Sequence, residues 1–267
     1  QRNARGVALT EAGQRLLSRA RYIDVAFADL TDFVRGGAVP AGKVRFGMPG
    51  TINEQIGVQL LETCRLDYPE VKIRISEAMS GFVLNWLREG TIDLALLYNP
   101  EDHKGLSLYH ALTEEILLFG IEGQKNAPKT KTVPLATVLQ LPLILPGDSH
   151  GLRALIDKAA HSIGAMVKPE IEIDSYRLIK ELARRGAGFA MLPATAVKQE
   201  VAADIFNVWR VIKPNLERKI CLGYQSSRPI SAANRAVGQL SWNILHQMVE
   251  DGSWTAIWNS STELWIP

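Results

Sequence analysis

Hydroxyl-bearing residues recur where the predicted strands of this 267-residue chain give way to helices. They are Thr51, Ser80, Ser149, Ser175 and Thr195. A hydroxyl at such a point can cap a helix, and it can also bind a small polar molecule beside the free N–H groups of a helix N-terminus. Capping explains each hydroxyl singly, whereas one cleft between two facing lobes explains them together. The pattern predicts a site for a small anion such as a carboxylate.

Signatures of other chemistry are weak by comparison. Residues 37–43 have the spacing of a phosphate-binding loop, but they lead into a predicted strand, and Val44 replaces the magnesium-binding Ser or Thr. The pair Gly186 and Gly188 follows a helix and lacks a third glycine, which is typical of a helix end and a turn. The five histidines lack metal-ligand spacing, no GxSxG elbow is present, and the two cysteines form no CxxC pair. We therefore expect neither enzyme activity nor a cofactor nor a metal.

Apolar periodicity supplies the elements that must position the hydroxyl groups. A first set of strands is predicted at 44–48, 71–75 and 93–97, with helices at 53–66 and 81–88 between them. A second set follows, with strands at 143–145, 170–173 and 189–192, helices near 151–163 and 176–185, further strands at 205–211 and 217–224, and a last helix at 230–249. The order predicts an α/β protein with two Rossmann-like lobes, each a sheet covered by helices.

The first forty residues have a different pattern. Thr10 can cap a helix whose apolar residues follow heptad spacing, and these are Leu16, Ala20, Ile23, Phe27, Leu30 and Val34. The spacing indicates a helix that pairs with a second copy of the chain, and an amphipathic helix packed on its own domain is the alternative. Residues 1–21 contain five arginines against one glutamate, which leaves +4 in a chain whose net charge is +2.

Composition and the lack of targeting signals indicate the class of protein and its compartment. Hydrophobic residues make up 46% of the chain and charged residues 22%, as in soluble globular proteins. No apolar run reaches the roughly 20 residues that span a bilayer, and no secretion signal is present, so we expect a cytoplasmic protein without membrane contact. The absence of an initiating Met leads us to expect a truncated chain. Trp254, Trp258 and Trp265 crowd the C-terminal tail, either as an aromatic strap or as a partner-binding segment.

The order of these segments resembles that of the LysR-type transcriptional regulators over residues 1 to about 250. The stretches that carry the resemblance are RxxRGVxLTEAG at 2–13, GKVRFG at 42–47, YPEV at 68–71, LREGTIDLA at 87–95, and residues 178–193. Within that family, residues 77–120 are most similar to the nitrogen assimilation control branch. Each motif is modest alone, and it is their order and spacing that are specific.

The resemblance implies a periplasmic-binding-protein-like pair of lobes that bind a small anionic effector and control transcription. It divides the chain into the remnant of a winged helix-turn-helix at 1–9, a linker and dimerisation helix at 10–38, lobe I at 42–122 and 224–250, lobe II at 123–223, and a tail at 251–267 without a counterpart. Ligand-driven closure would be transmitted through the strands that join the lobes near Glu122 and Tyr224.

Matching positions and the turns described above together predict the site residues. The effector-binding residues would be Pro49, Gly50, Thr51, Ser80, Gly81, Tyr98, Asn99, Pro146, Gly147, Ser149, Ser175 and Pro193. Arg2 and Arg5 would belong to the DNA-contacting wing, with the recognition helix preceding Gln1. The implied partners are DNA, a second or further copies in a homodimer or homotetramer, and RNA polymerase.

Two alternatives use the same architecture. A solute-binding protein of a transporter shares the two lobes, and fold alone does not separate it from a regulator. The heptad helix and the missing secretion signal favour the regulator. An enzyme that uses carboxylates such as Glu70, Glu77 and Asp93 in the cleft is a more distant alternative. The sequence leaves the effector, the operator and the direction of regulation open.

Overall fold

The computed structural model divides the chain into two compact units, which are described one at a time. Unit 1 consists of Gln1–Ala111, Cys221–Gln247 and Ser260–Pro267, and unit 2 of Leu112–Ile220 and Met248–Asn259. The structure describes residues 2, 3, 6, 7, 10, 12, 13, 16, 20, 23, 27, 39–100, 104–148, 150–261 and 265. Within that part of the chain, we find no helix whose length and apolar character suffice to cross a membrane.

Unit 1 is built on a sheet with three parallel strands. They are β3 (Gly42–Met48), β4 (Val71–Glu77) and β5 (Leu94–Tyr98). β3 pairs in parallel with both of the others, and the sheet continues beyond β5 with β12 (Glu217–Gln225) and then β6 (Leu106–Gly120). Helix α1 (Gly50–Asp67) connects β3 to β4, and α2 (Ser80–Arg88) connects β4 to β5. The predicted βαβαβ order is therefore confirmed.

The sequence explains why these segments fold in this way. All four residues from Leu94 to Leu97 in β5 are buried, as expected for a parallel strand that is covered on both faces. α1 places Ile52, Ile56 and Leu60 on one buried face at helical spacing. The helix ends at Asp67 because Tyr68 precedes a proline, which disfavours the helical conformation for that residue.

Unit 2 repeats the parallel arrangement around a second sheet. Its parallel strands are β8 (Leu143–Leu145), β9 (Ile171–Glu172) and β10 (Phe189–Pro193), with β8 in the middle. The connecting helices are α4 (Gly151–Ser162) and α5 (Tyr176–Arg184), and α6 (Ala194–Ala202) follows β10. The remaining elements are β7 (Thr132–Pro134), the short α3 (Leu135–Val138) and β11 (Asn207–Ile212). The α/β class predicted from the sequence is confirmed in both units.

Two strands and one helix continue from one unit into the other. β6 (Leu106–Gly120) and β12 (Glu217–Gln225) each have residues in both units, and α7 (Ala232–Glu250) reaches unit 2 with its last three residues. In unit 2, β6 pairs antiparallel with β10 and with β11. β6 is absent from the sequence predictions. The lobe boundaries expected at 122 and 223 lie near the ends of β6 and β12, and they stay a prediction.

A buried ion pair lies on the unit 2 side of these two strands. The Glu114 carboxylate in β6 is 1% exposed and accepts a hydrogen bond from the Arg218 guanidinium in β12, which is 4% exposed. The other carboxylate oxygen accepts from the indole N–H of Trp254 at 3.0 Å. A buried charge is costly unless it is paired and hydrogen-bonded, and here both carboxylate oxygens have partners.

The C-terminal tail is packed on both units through its tryptophans. Trp254 is buried in unit 2, and β13 (Ile257–Trp258) adds an antiparallel pair to β6 at Leu112 and Thr113. Trp265 is buried in unit 1 against Gly238, where an added Cβ would lie 2.0 Å from the indole ring. The burial of Trp254 and Trp265 agrees with the interpretation of the tail as an aromatic strap.

The N-terminal segment is described at a few positions. β1 (Arg2–Asn3) and β2 (Gly6–Val7) pair antiparallel, and the residues described between 12 and 27 are helical. Thr10 Oγ1 accepts a hydrogen bond from the N–H of Gly13 at 3.0 Å, which confirms the predicted cap. The described apolar positions of the heptad are exposed, and they are Leu16, Ala20, Ile23 and Phe27. Arg5, Leu30 and Val34 lie outside the described residues.

We expect Trp254→Phe to lower the free energy of unfolding by about 1–3 kcal/mol, because the buried Glu114 carboxylate loses a hydrogen-bond donor. Urea denaturation followed by far-UV circular dichroism measures the change. Trp258→Phe is the matched control, since Trp258 is only half-buried, and we expect a smaller loss there. Equal losses in the two variants would show that the hydrogen bond to Glu114 does not stabilise the fold.

Candidate functional site

Three of the predicted site residues meet at the carboxyl ends of the parallel strands in unit 1. Thr51 Oγ1 lies 2.6 Å from the phenol oxygen of Tyr98, and the N–H of Tyr98 donates to Ser80 Oγ at 3.1 Å. The three residues follow or end three different strands, so parallel pairing is what brings them to one edge of the sheet. We call this group, with the adjoining Pro49, Gly50 and Glu77, the unit 1 cluster.

The hydroxyls of Thr51 and Ser80 do not cap helices, so the capping explanation is wrong for these two residues. α1 begins at Gly50 with Pro49 as its N-cap, and α2 begins at Ser80 with Met79 as its N-cap. Neither N-cap residue makes a side-chain cap hydrogen bond. Thr51 lies two residues after its N-cap and Ser80 one residue after its own, and both hydroxyls are hydrogen-bonded to Tyr98 instead.

The remaining predicted residues of unit 1 surround this group. The carbonyl of Pro49 accepts from the N–H groups of Ile52 and Asn53, both at 3.0 Å. Asn99 follows β5 with a φ of 39°, in the left-handed region that Asn tolerates better than most residues. An added Cβ at Gly81 would meet no atom within 4 Å, so the backbone there is open.

A carboxylate that the sequence suggested only for the enzyme alternative, Glu77, completes the unit 1 cluster. Glu77 ends β4, and its Oε2 accepts a hydrogen bond from Asn53 Nδ2 at 2.7 Å. Its Oε1 would lie 2.8 Å from a Cβ built on Gly50, so the carboxylate is held against the first residue of α1. The recurrence of an acid after the second strand of each lobe is the signal that could have identified it.

A corresponding group lies in unit 2 at the carboxyl ends of β8 and β9. The N–H of Gly147 donates to Asp174 Oδ1 at 2.9 Å, so the turn after β8 is bound to the turn after β9. Ser175 caps α5 by accepting from the N–H of Leu178 at 3.4 Å, as capping predicts. Pro146 precedes Gly147, and Pro193 ends the neighbouring β10 and is the N-cap of α6. We call these residues the unit 2 cluster.

His150 takes the capping role expected of Ser149, which lies outside the described residues. His150 is the N-cap of α4, and its Nδ1 accepts from the N–H of Leu152 at 3.1 Å. Burial lowers the pKa of the His150 imidazole, Arg218 lowers it further, and Asp174 opposes the shift. The lowered pKa favours the neutral ring, which fits a nitrogen that accepts a hydrogen bond. Thr195 lies inside α6, and its buried hydroxyl has no hydrogen-bond partner among the described residues.

The two cysteines are poorly suited to redox chemistry. Cys64 and Cys221 are both buried, and they are not joined in a disulfide. Burial, with a smaller contribution from Asp67, raises the pKa of the Cys64 thiol. Reactive cysteines need a lowered thiol pKa and solvent access, because the thiolate is the nucleophile. Both thiols are buried, and the raised pKa of Cys64 disfavours its thiolate.

Comparison with known proteins places these features in a family. Residues 37–242 match the family model of the LysR substrate binding domain. The chain is 28% identical over 204 residues to the HTH-type transcriptional regulator BbuR of Bordetella bronchiseptica, covering 76% of this chain and 62% of BbuR, less than two thirds of its length. It is 29% identical over 263 residues to the nitrogen assimilation regulatory protein Nac of Escherichia coli, covering 96% of this chain and 84% of Nac.

Solved structures share the fold. The effector binding domain of QuiR in complex with shikimate superposes with a TM-score of 0.65 at 18% identity, over 78% of this chain and 98% of that one. An H2O2-bound mutant of OxyR from Corynebacterium glutamicum gives a TM-score of 0.70 at 21% identity, over 100% of this chain and 84% of that one. The expected two-lobe, periplasmic-binding-protein-like fold is confirmed.

A double-mutant cycle tests the hydroxyl pair of the unit 1 cluster. We expect Thr51→Val and Tyr98→Phe to be coupled by about 0.5–1.5 kcal/mol, the net value of one hydrogen bond, because either change alone breaks the same contact. Urea denaturation of the wild type, both single variants and the double variant supplies the four free energies of unfolding. A coupling energy indistinguishable from zero would contradict the contact between the two hydroxyls.

Proposed function

This chain belongs to the LysR family by its substrate binding domain, and from that premise we propose that it is the effector-sensing and oligomerisation part of a DNA-binding transcriptional regulator. The match of residues 37–242 to the family model is the observation that carries the proposal. BbuR and Nac are both named as regulators. The match to Nac extends over 96% of this chain, so it includes the predicted linker helix as well as the two units. The transporter alternative is not favoured, because regulators are what the chain matches.

The effector is a small molecule that contacts residues of the unit 1 and unit 2 clusters. Support comes from the convergence of Thr51, Ser80 and Tyr98, which offers hydroxyl groups at a sheet edge where α/β proteins bind ligands. The predicted site in unit 2 is centred on the turn at Gly147. The QuiR domain binds shikimate in its solved structure, and a small polar effector is the corresponding proposal for this chain.

Sensing of peroxide by a thiol is the second candidate, because OxyR proteins are among the structural relatives. The thiols of Cys64 and Cys221 argue against it, since both are buried and the pKa of Cys64 is raised. Binding of an effector at the polar clusters is the function that the geometry supports better.

The helix predicted at 10–38, which is helical at the positions described between 12 and 27, is the oligomerisation element of the proposal. Leu16 is 70% exposed, Ile23 66% and Phe27 69%, an unusual exposure for large apolar side chains that recur at heptad spacing. Pairing with the same helix of a second copy would remove them from water. The regulator then acts as a homodimer or homotetramer in the cytoplasm, contacts DNA through Arg2, Arg5 and the domain before them, and influences RNA polymerase at the promoter.

Effector binding changes which arrangement of the subunits is favoured, provided that the effector binds one arrangement more tightly than the other. The strands β6 and β12, which have residues in both units, are the elements through which a change in one unit reaches the other. Footprinting of the operator by the full-length gene product, with and without saturating effector, tests this role. Identical footprints would refute the switch.

We expect Phe27→Glu to dissociate the oligomer, because a carboxylate in an apolar helix seam is desolvated without a partner. Multi-angle light scattering after gel filtration measures the molar mass. Ser18→Glu introduces the same charge at a position that the heptad spacing places off the seam, and we expect it to leave the mass unchanged. Retention of the wild-type mass by Phe27→Glu would assign the seam to packing within one chain.

We expect Thr51→Val to weaken effector binding by about 1–3 kcal/mol, the cost of a polar ligand group left without its partner. A thermal-shift screen of the chain against small metabolites identifies the effector, and calorimetry gives the affinities. Thr132→Val, at an exposed position of β7 in unit 2, makes the same chemical change away from both clusters. An affinity of Thr51→Val within error of the wild type would remove Thr51 from the site.

A further inference from the structure

Both clusters contain a Pro-Gly pair with an acid beside it, 27 residues beyond the glycine. Gly50 is the first residue of α1, whereas Gly147 lies in the turn four residues before α4. Pro49-Gly50 follows β3, the middle strand of its parallel set, and Glu77 is 27 residues beyond Gly50. Pro146-Gly147 follows β8, which is again the middle strand, and Asp174 is 27 residues beyond Gly147. In both units the acid is delivered from the end of the next parallel strand, after one connecting helix.

The carboxylate reaches the turn in both cases. In unit 2 the contact is a hydrogen bond of 2.9 Å from the Gly147 N–H to Asp174 Oδ1. In unit 1 a Cβ added to Gly50 would lie only 2.8 Å from Glu77 Oε1. The other carboxylate oxygen, Oε2, accepts a hydrogen bond from Asn53 Nδ2 at 2.7 Å. A side chain larger than hydrogen at residue 50 would have to displace the Glu77 carboxylate, so the glycine and the acid fit each other.

These positions are where an anionic ligand would otherwise bind. Backbone N–H groups at a helix N-terminus and in the turn before a helix attract negative charge. In unit 2 the Asp174 carboxylate accepts from such an N–H, and in unit 1 the Glu77 carboxylate lies beside Gly50, the first residue of α1. A ligand carboxylate brought to the same turn would meet a like charge, whereas a hydroxyl or ammonium group would find an acceptor with further lone pairs available.

We propose that Glu77 and Asp174 are specificity-determining residues that select effectors bearing hydroxyl or ammonium donors and exclude a bare carboxylate from the two Pro-Gly turns. The selection of an effector rests on the proposed function, but the exclusion of anions from the turns does not. It differs from the sequence expectation, in which the turns themselves bind an anion such as a carboxylate. The hydroxyls of Thr51, Ser80 and Tyr98 are compatible with either kind of ligand. Glu77 and Asp174 therefore determine which kind is bound.

The test uses two small probes of opposite character, acetate and ethanolamine, and the amide resonance of Gly147 in ¹H–¹⁵N spectra of the full chain. In the wild type we expect ethanolamine to shift the Gly147 resonance saturably and acetate to leave it unmoved. Asp174→Ala frees the N–H and removes the charge, so we expect the order to reverse, with acetate binding about tenfold tighter than in the wild type. Glu77→Ala removes the charge beside Gly50, and we expect acetate then to shift the Gly50 resonance more strongly than in the wild type.

Asp148→Asn is the matched control, because it removes an exposed carboxylate from the same turn without removing the Asp174 contact. We expect it to keep the wild-type order of the two probes. Unchanged dispersion of resonances elsewhere shows that each variant is folded. Acetate binding to the wild type as tightly as ethanolamine, or an order of probes that Asp174→Ala leaves unchanged, would overturn the proposal.

The result is separable from the proposed function. If the turns exclude acetate but the full-length protein shows no effector-dependent footprint, the proposed specificity of the turns stands and the proposed regulatory role does not. A protein that responds to an effector in the footprint, yet binds acetate at Gly147 in the wild type, would retain the regulatory role and lose the proposed selection by Glu77 and Asp174.

Discussion

Parallel pairing around a middle strand is the constraint on which both clusters depend. Parallel strands need a crossover, here a helix, so their carboxyl ends come to one edge of the sheet together with the turns that start the helices. In unit 1, β3 pairs with β4 over seven residues, from Gly42 with Val71 to Met48 with Glu77. This register sets Glu77 directly beside the end of β3 and so beside Gly50. A shift of one residue would turn Glu77 to the other face of the sheet and leave the turn uncovered.

The sequence was sufficient for the elements whose pattern is local, and it failed where distant residues decide. β3, β5 and β10 are short apolar runs, and each was predicted within a few residues. β6 was missed although it is fifteen residues long, because Glu114 and Glu115 interrupt its apolar pattern. Glu114 is tolerated at 1% exposure only because Arg218, 104 residues away, and Trp254, 140 residues away, complete its hydrogen bonds. No window of sequence contains that information.

The same limit applies to the site. The sequence placed Thr51 and Ser80 at the correct turns, because turns follow from strand ends. It also offered them a capping role, whereas Pro49 and Met79 occupy the N-cap positions in the fold. Their partner is Tyr98, which lies 47 and 18 residues away and reaches them only through the pairing of β3 with β5. Glu77 was one of three carboxylates that the sequence offered to the enzyme alternative, with nothing to set it apart from Glu70 and Asp93. Its position against Gly50 depends on the register of two strands, which composition and spacing do not specify.

The electrostatics of the turns follow from comparing two magnitudes. A helix N-terminus stabilises a nearby negative charge by about 0.3–1 kcal/mol at an exposed position. Two unit charges of like sign about 4 Å apart repel by about 1 kcal/mol in bulk water and by about 4 kcal/mol at an effective dielectric constant of 20. The repulsion from a carboxylate already fixed at the turn therefore equals or exceeds the attraction between the N–H groups and a second carboxylate. A protein that used these turns to bind a ligand carboxylate would leave them uncovered, and in both units the chain covers them with its own acid.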